Sequence, residues 1–300
     1  MDAWIYVTLG AVVAQTARFA LQKRLKVTGL STGGATFARF VYSAPLVLIL
    51  LAGHAWTSGQ ALPSVPPAFW AYALVGGTTQ ILATMCVVAL FSHRNFAVGM
   101  TFKKTEVLMS VLVGLIVLGE GVSLAALIAI LVGFAGVLLL SDPPGGSGRW
   151  SRRIFNRAAG LGLASGLLFA MSGVGYRGAS LSLASGDTLL RAVVTLACVT
   201  LFQTLALGAW LLWRERGEIG RVFAAWRVAG LVGITSMIGS VCWFTAFTLQ
   251  TVAYVNALGQ VELILSMAVS ILFFRERMTW REGQGLVLLS ASVLGLVLVT

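Results

Sequence analysis

Ten apolar blocks dominate this 300-residue chain, at roughly 3–22, 34–53, 70–91, 96–118, 123–141, 158–176, 187–213, 226–247, 252–274 and 283–300. A helix needs ~20 apolar residues to cross the hydrocarbon of a bilayer. Backbone N–H and C=O groups in lipid must be satisfied within the segment, so blocks of this length predict membrane helices. Only 10% of the residues are charged, against about 25% in a soluble domain. The sequence predicts an all-α integral membrane protein of ten transmembrane helices. The first block lacks a basic leader and a small-residue cleavage pattern, and it carries Gln15 and Arg18, so it reads as a helix and not as a signal peptide.

The net charge of +11 is a topology signal. Fifteen of the 21 Lys and Arg residues fall in the loops after blocks 1, 3, 5, 7 and 9, and only Arg177 lies on the opposite face. Basic loops stay in the cytoplasm. Both termini are therefore expected outside the cytoplasm of a multi-pass cell-membrane protein. The basic loops face anionic membrane lipids, not nucleic acid. The three cysteines, Cys86, Cys198 and Cys242, all fall in helices and suggest no disulfide framework.

The stretch DPPGGSGRWSRRIFNR (142–157) divides the chain nearly in half. Its Pro, Gly and Arg content reads as a cytoplasmic linker between a first five-helix repeat at 1–141 and a second at 158–300. At an offset of 156, Trp70 pairs with Trp226, Gly77 with Gly233, Cys86 with Cys242, Glu106 with Glu262, Ser110 with Ser266 and Glu120 with Glu276. At an offset of 152, Gly10 pairs with Gly162 and Arg39 with Arg191. Five helices per half make the second half enter from the opposite side. Such inverted repeats build transporters with a site near the midplane.

Two stretches, LMSVLVGLIVLGEGVSLAALIAILVGFAGVLLL (108–140) and LILSMAVSILFFRERMTWREGQGLVLLSASVLGLVLV (263–299), close the two halves alike. Each has a helix, a Gly-Glu-like turn and a Gly-bearing helix. In this the chain resembles the EamA-type branch of the drug/metabolite transporter superfamily. The resemblance implies a secondary transporter of a small metabolite working by alternating access, with no cofactor. Members often carry Glu-Pro where helices 4 and 9 approach the centre. Here Val107 and Leu263 follow Glu106 and Glu262, so straighter helices are expected. The small multidrug branch uses an acid in its first helix, and helix 1 here has Arg18 instead. The sugar-phosphate branch has basic residues in its fourth helix, which Lys103 and Lys104 resemble, but their repeat mates are Gly259 and Gln260.

Charges at membrane depth are functional until shown otherwise. Counted from Phe96, Lys103 lies ~11 Å and Glu106 ~15 Å along helix 4, which is near the centre of a ~30 Å core. Opposite entry brings Glu262 to the same level. Lys103, Glu106 and Ser110 share one helix face, while Lys104 points elsewhere. The plainest alternative is that Lys103 and Glu106 only neutralise each other. Arg18 sits where an arginine can snorkel to the interface.

Summed over Arg18, Arg39, Lys103, Lys104 and Arg191 against Glu106 and Glu262, the membrane-depth charge is three positive, which favours an anion or an amino acid. The expected binding residues are Lys103, Lys104, Glu106, Asn256, Gln260, Glu262, Arg39, Tyr254 and Trp243, with Glu106 and Glu262 as proton-coupling candidates. No metal site is expected, since His54 and His93 are peripheral. An enzyme is disfavoured: no H-E-x-x-H, G-x-S-x-G or Walker A pattern occurs, and Asp2, Asp142 and Asp187 sit at ends or loops. A pore lacks the rings of like charge it would need. A homodimer is compatible with the sequence.

Overall fold

The computed structural model describes residues 2–27, 29–91, 96–140, 157–265, 267 and 279–299. All regular structure among them is helical: α1 (Ala3–Val27), α2 (Thr32–Ser58), α3 (Pro67–Leu90), α4 (Phe96–Lys103), α5 (Glu106–Leu118), α6 (Leu124–Leu140), α7 (Arg157–Leu181), α8 (Thr188–Arg214), α9 (Glu218–Ala224), α10 (Trp226–Leu249), α11 (Val252–Leu258) and α12 (Trp280–Val299). Seven of these, α1, α2, α3, α7, α8, α10 and α12, are long and apolar enough to cross a membrane, and α6 and 252–265 are shorter apolar helices. The linker at 142–156, His93 and Glu276 lie outside the described residues.

The packing of these helices repeats. Extensive contacts join α3 to α7 and α1 to α10, and these are counterparts when the first half is superposed in order on the second. The pairs α6–α12 and α2–α8 map onto themselves. A pseudo-two-fold arrangement of two repeats accounts for all four. Small residues make the seams close: Gly175 of α7 meets the backbone of Tyr72 and Gly76 on α3, and Gly136 of α6 meets Gly285 of α12. Lipid offers no hydrophobic drive between helices, so contact depends on such approach. The outward faces are apolar, as at Ile49, Leu205 and Leu298, while Thr8, Ser165, Thr195 and Gln203 are buried.

Helix ends are set by local chemistry. The Ser31 hydroxyl accepts the Gly34 N–H at 2.8 Å to start α2, the N-cap arrangement that satisfies an orphan donor. The Gly-Glu turn after α5 is a C-cap. Gly119 adopts φ +69°, and the amides of Gly119 and Glu120 donate to the carbonyls of Leu115 and Gly114. Glu120 then accepts from Arg177 Nε at 2.7 and 2.8 Å, and Arg177 also donates to the Phe247 and Gln250 carbonyls. One arginine thus ties the ends of α5, α7 and α10. At the other face, α9 lies against the start of α2, where Glu218 accepts the Ser31 amide and Arg221 donates to the Gly29 carbonyl.

Two expectations change. The fourth apolar block is not one helix but α4 and α5, parted at Lys104–Thr105. The ninth is parted at Gly259–Gln260 and resumes at Val261. At an offset of 156 these breaks overlap, shifted by one residue, with Lys104 and Gln260 common to both. The missing prolines were expected to leave these helices straighter, and they do not. Each break is a tightened turn. Lys104 and Thr105 donate to Thr101 and Phe102, while Gln260, Glu262 and Leu263 donate to Ala257, Gly259 and Gln260. These are i→i−3 bonds in place of i→i−4.

Candidate functional site

The two breaks open onto one polar cavity between the halves. Its walls follow helix spacing. α7 contributes Phe169, Ser172, Gly173 and Tyr176, and α10 contributes Ser240, Trp243, Phe244 and Phe247. Both sets run i, i+3, i+4, i+7, one face of a helix each. α1 adds Gln15 and Arg18, α2 adds Arg39 and α3 adds Gln80. The broken segments supply Lys103, Lys104, Glu106, Asn256, Gly259, Gln260 and Glu262.

At the first break Lys103 Nζ lies 2.8 Å from Glu106 Oε2 and 4.9 Å from the centre of the Phe169 ring. Lys104 turns to the other half, where its Nζ lies 3.0 Å from Glu262 Oε2. Glu262 also feels Lys103 and Arg18. The first break can come this close to α7 because α7 has no side chain there: a Cβ on Gly166 would stand 3.0 Å from the Lys103 carbonyl and 2.9 Å from Thr105 Oγ1. Thr105 Oγ1 itself donates to the Phe102 carbonyl at 2.7 Å, so the turn's own side chain takes up a backbone acceptor. At the second break Gln260 Nε2 donates back to the Asn256 carbonyl at 3.3 Å, and Asn256 Nδ2 donates to Ser110 Oγ on α5 at 2.8 Å. Freed backbone groups and cross-half bonds are thus satisfied together.

The aromatic wall is ordered by stacking. Tyr176 lies over Phe244 with centroids 4.2 Å apart, and Trp243 over Phe247 at 5.6 Å. The Tyr176 hydroxyl donates to Gln80 Oε1 at 2.7 Å and accepts from Gln203 at 3.1 Å. Two cavity groups lack a hydrogen-bond partner among the described residues: the donor Trp243 Nε1 and the acceptor Gln260 Oε1. Buried polar atoms left open in this way call for an explanation, and a ligand is one.

Of the residues expected in the site, Lys103, Lys104, Glu106, Asn256, Gln260, Glu262, Arg39 and Trp243 are brought together. Tyr254 is not. Its hydroxyl accepts the Ser123 amide at 3.4 Å, at the start of α6, and it does not line the cavity. Arg191 stays half-buried outside the cavity, so four positive and two negative side chains line it and the net charge is +2, not +3. Arg18 does not snorkel. It is 3% exposed, bonded to Gln22 and Gln15, and lines the cavity. Gln15, Arg18 and Gln22 repeat at i, i+3, i+7, a polar helix face that the sequence does display.

Comparison with known proteins agrees with this architecture. No curated protein matches the chain. A crystal structure of a protein 16% identical in sequence covers 99% of this chain and 96% of its own length, with a TM-score of 0.72, and so shares the fold. The EamA-like transporter family matches twice, over residues 2–142 and 156–298, one match to each half. With nearly its whole length accounted for by that double match, the chain belongs to the EamA-like transporter family.

Proposed function

We propose that the chain is a secondary active transporter, an exporter or exchanger, of a small organic metabolite carrying a negative group, an anion or an amino acid. The observation that carries this reading is the meeting of two interrupted helices at one positively charged cavity between the halves. Discontinuous helices at a repeat interface are how alternating-access sites are built. Lys103, Lys104, Arg39, Asn256, Gln260 and Trp243 supply donors, and Glu106 and Glu262 supply acceptors. Ten crossings follow if α4 with α5, and α11 with the segment after it, each count as one. In that arrangement 1–141 and 158–300 are the inverted repeats, and both termini lie outside the cytoplasm of the cell membrane.

The Lys104–Glu262 pair is the joint between the halves at the level of the breaks. Rocking one half against the other stretches that pair first. Protonation of Glu262 would release Lys104, which makes Glu262 and Glu106 the proton-coupling candidates. The test is uptake into proteoliposomes under an imposed pH gradient. Loss of the pH dependence in Glu106→Gln or Glu262→Gln supports coupling, and full retention in both excludes it. A cytoplasm-active reporter should be active within Gly145–Arg149 and silent after Thr300, and the reverse pattern overturns the topology.

A further inference from the structure

Four cations line the cavity, and two of them are already neutralised. Lys103 is held by Glu106 and Lys104 by Glu262. Arg18 and Arg39 have no carboxylate in ion-pair reach among the described residues. Arg39 donates from Nε to Ser236 Oγ at 3.1 Å and from a terminal nitrogen to Thr84 Oγ1 at 2.9 Å. Arg18 donates to Gln22 Oε1 at 3.1 Å and to Gln15 Oε1 at 3.5 Å. Every one of these partners is neutral. They fix the position of each guanidinium without cancelling its charge. Both arginines are more than nine-tenths buried; Arg39 repels Arg18, and Glu262, beyond ion-pair reach, offsets part of that repulsion.

A guanidinium has five N–H donors, and these bonds use two on each residue. Two unneutralised forks facing one cavity match an acidic group that accepts two bonds at once, since carboxylate and phosphate oxygens fit the fork bidentately. Binding such a group at either lysine would first have to displace Glu106 or Glu262. Binding it at the arginines displaces no charge and relieves their repulsion.

Resting on the transporter reading above, we infer that Arg18 and Arg39 form the anion-receiving subsite and that the substrate is a small organic dianion. The net cavity charge of +2 is cancelled by two negative charges. A zwitterionic amino acid brings none on balance and places its ammonium in a positive field. The stacked Trp243–Phe247 and Tyr176–Phe244 pairs give the rest of the molecule an apolar wall, which favours an organic over an inorganic anion.

The test is thermal unfolding of the full chain in lipid nanodiscs at constant ionic strength with succinate, glycerol phosphate, inorganic phosphate or alanine. Succinate or glycerol phosphate should stabilise the protein at concentrations at least 10-fold below those at which alanine or inorganic phosphate does. Whichever of the two acts at lower concentration separates a dicarboxylate from a phosphate monoester. Arg18→Gln and Arg39→Gln should each weaken that response at least 10-fold. Arg18→Lys and Arg39→Lys, which keep the charge but lose the fork, should weaken it less and serve where a Gln variant fails to fold. Arg191→Gln, which removes a cation that does not line the cavity, should keep it.

Wild-type responses in the arginine variants, a wild type that responds to neither organic dianion, or a stronger response to alanine overturns the inference. Flux into proteoliposomes separates the two readings. Dianion binding that depends on the arginines with no flux of any probe breaks the transporter reading alone. Alanine flux indifferent to both arginines breaks only this one.

Discussion

The two helix breaks differ in what they hold. The first reads Lys103-Lys104-Thr105-Glu106 and the second Gly259-Gln260-Val261-Glu262. Both keep the glutamate, so the carboxylate belongs to the shared architecture. Only the first keeps cations. Lys103 serves its own half by pairing with Glu106, while Lys104 serves the other by pairing with Glu262. Where the first break has a lysine the second has Gly259, and Trp243 fills the space: a Cβ on Gly259 would stand 3.0 Å from its ring. A duplicated backbone has thus become chemically one-sided, with the cations in one half and an aromatic plate in the other.

The largest effect should come from Lys104→Ala. It strands Glu262 in a buried site, and removing one partner of a buried ion pair costs about 3–5 kcal/mol. Adding Glu262→Gln to Lys104→Ala should recover most of the loss in thermal unfolding, because the stranded charge goes with it. A double variant as unstable as the single one would show that Lys104 stabilises by some other contact. Next comes a transplant across the two-fold. Lys103→Gln leaves Glu106 without its cation, and Gln260→Lys places a lysine at the mate of Lys104, aimed at Glu106. The pair of changes should be more stable than Lys103→Gln alone by about 1–3 kcal/mol, the worth of a charged hydrogen bond. No rescue would mean that the breaks are not equivalent in geometry.

A third change tests the seating of the first break. Gly166→Ala should cost about 1–3 kcal/mol by overpacking against the Lys103 carbonyl, whereas its repeat mate Ala14 already carries a Cβ. If Gly166→Ala melts with the wild type, the turn is not wedged against α7. The smallest effect serves as a control outside the bilayer. Asp187 caps α8 by accepting the Leu190 amide at 3.0 Å and pairs with His54 at 2.8 Å. The amide bond, then His54, hold its carboxyl below the ordinary value. Its stabilisation is therefore fully present above about pH 4, the unfolded value, and fades as pH falls through the lower folded one. Asp187→Asn keeps the cap and should cost under about 1 kcal/mol, as part-exposed pairs do, and should flatten that acid limb.

The chain displayed its membrane class and repeat openly, because apolar blocks and matched Trp, Cys and Glu are local features. Most of the cavity was legible too, since charge at membrane depth is rare enough to point at itself. What the sequence hid depends on contacts between distant segments. The breaks need no proline because Thr105, Gln260 and Gly166 do its work, and Gly166 lies 61 residues beyond Thr105 of the turn it seats. The partner of Lys104 lies 158 residues on. Arg18 passed for an interface anchor because its depth along α1 says nothing about the Gln22 and Gln15 oxygens that hold it inside. Tyr254 is expected in the cavity, but its hydroxyl accepts the Ser123 amide instead.

The cross-half pair also sets a schedule for synthesis. At ~5–20 residues per second, Lys104 leaves the ribosome roughly 8–30 s before Glu262 exists. During that interval the first half holds a lysine at bilayer depth with no counter-ion, a position that costs about 2.5–3.5 kcal/mol at insertion. Glu262 then discharges it from a segment entering later. A first half made alone would never discharge Lys104, an unmet charge by which quality control would recognise the unfinished protein.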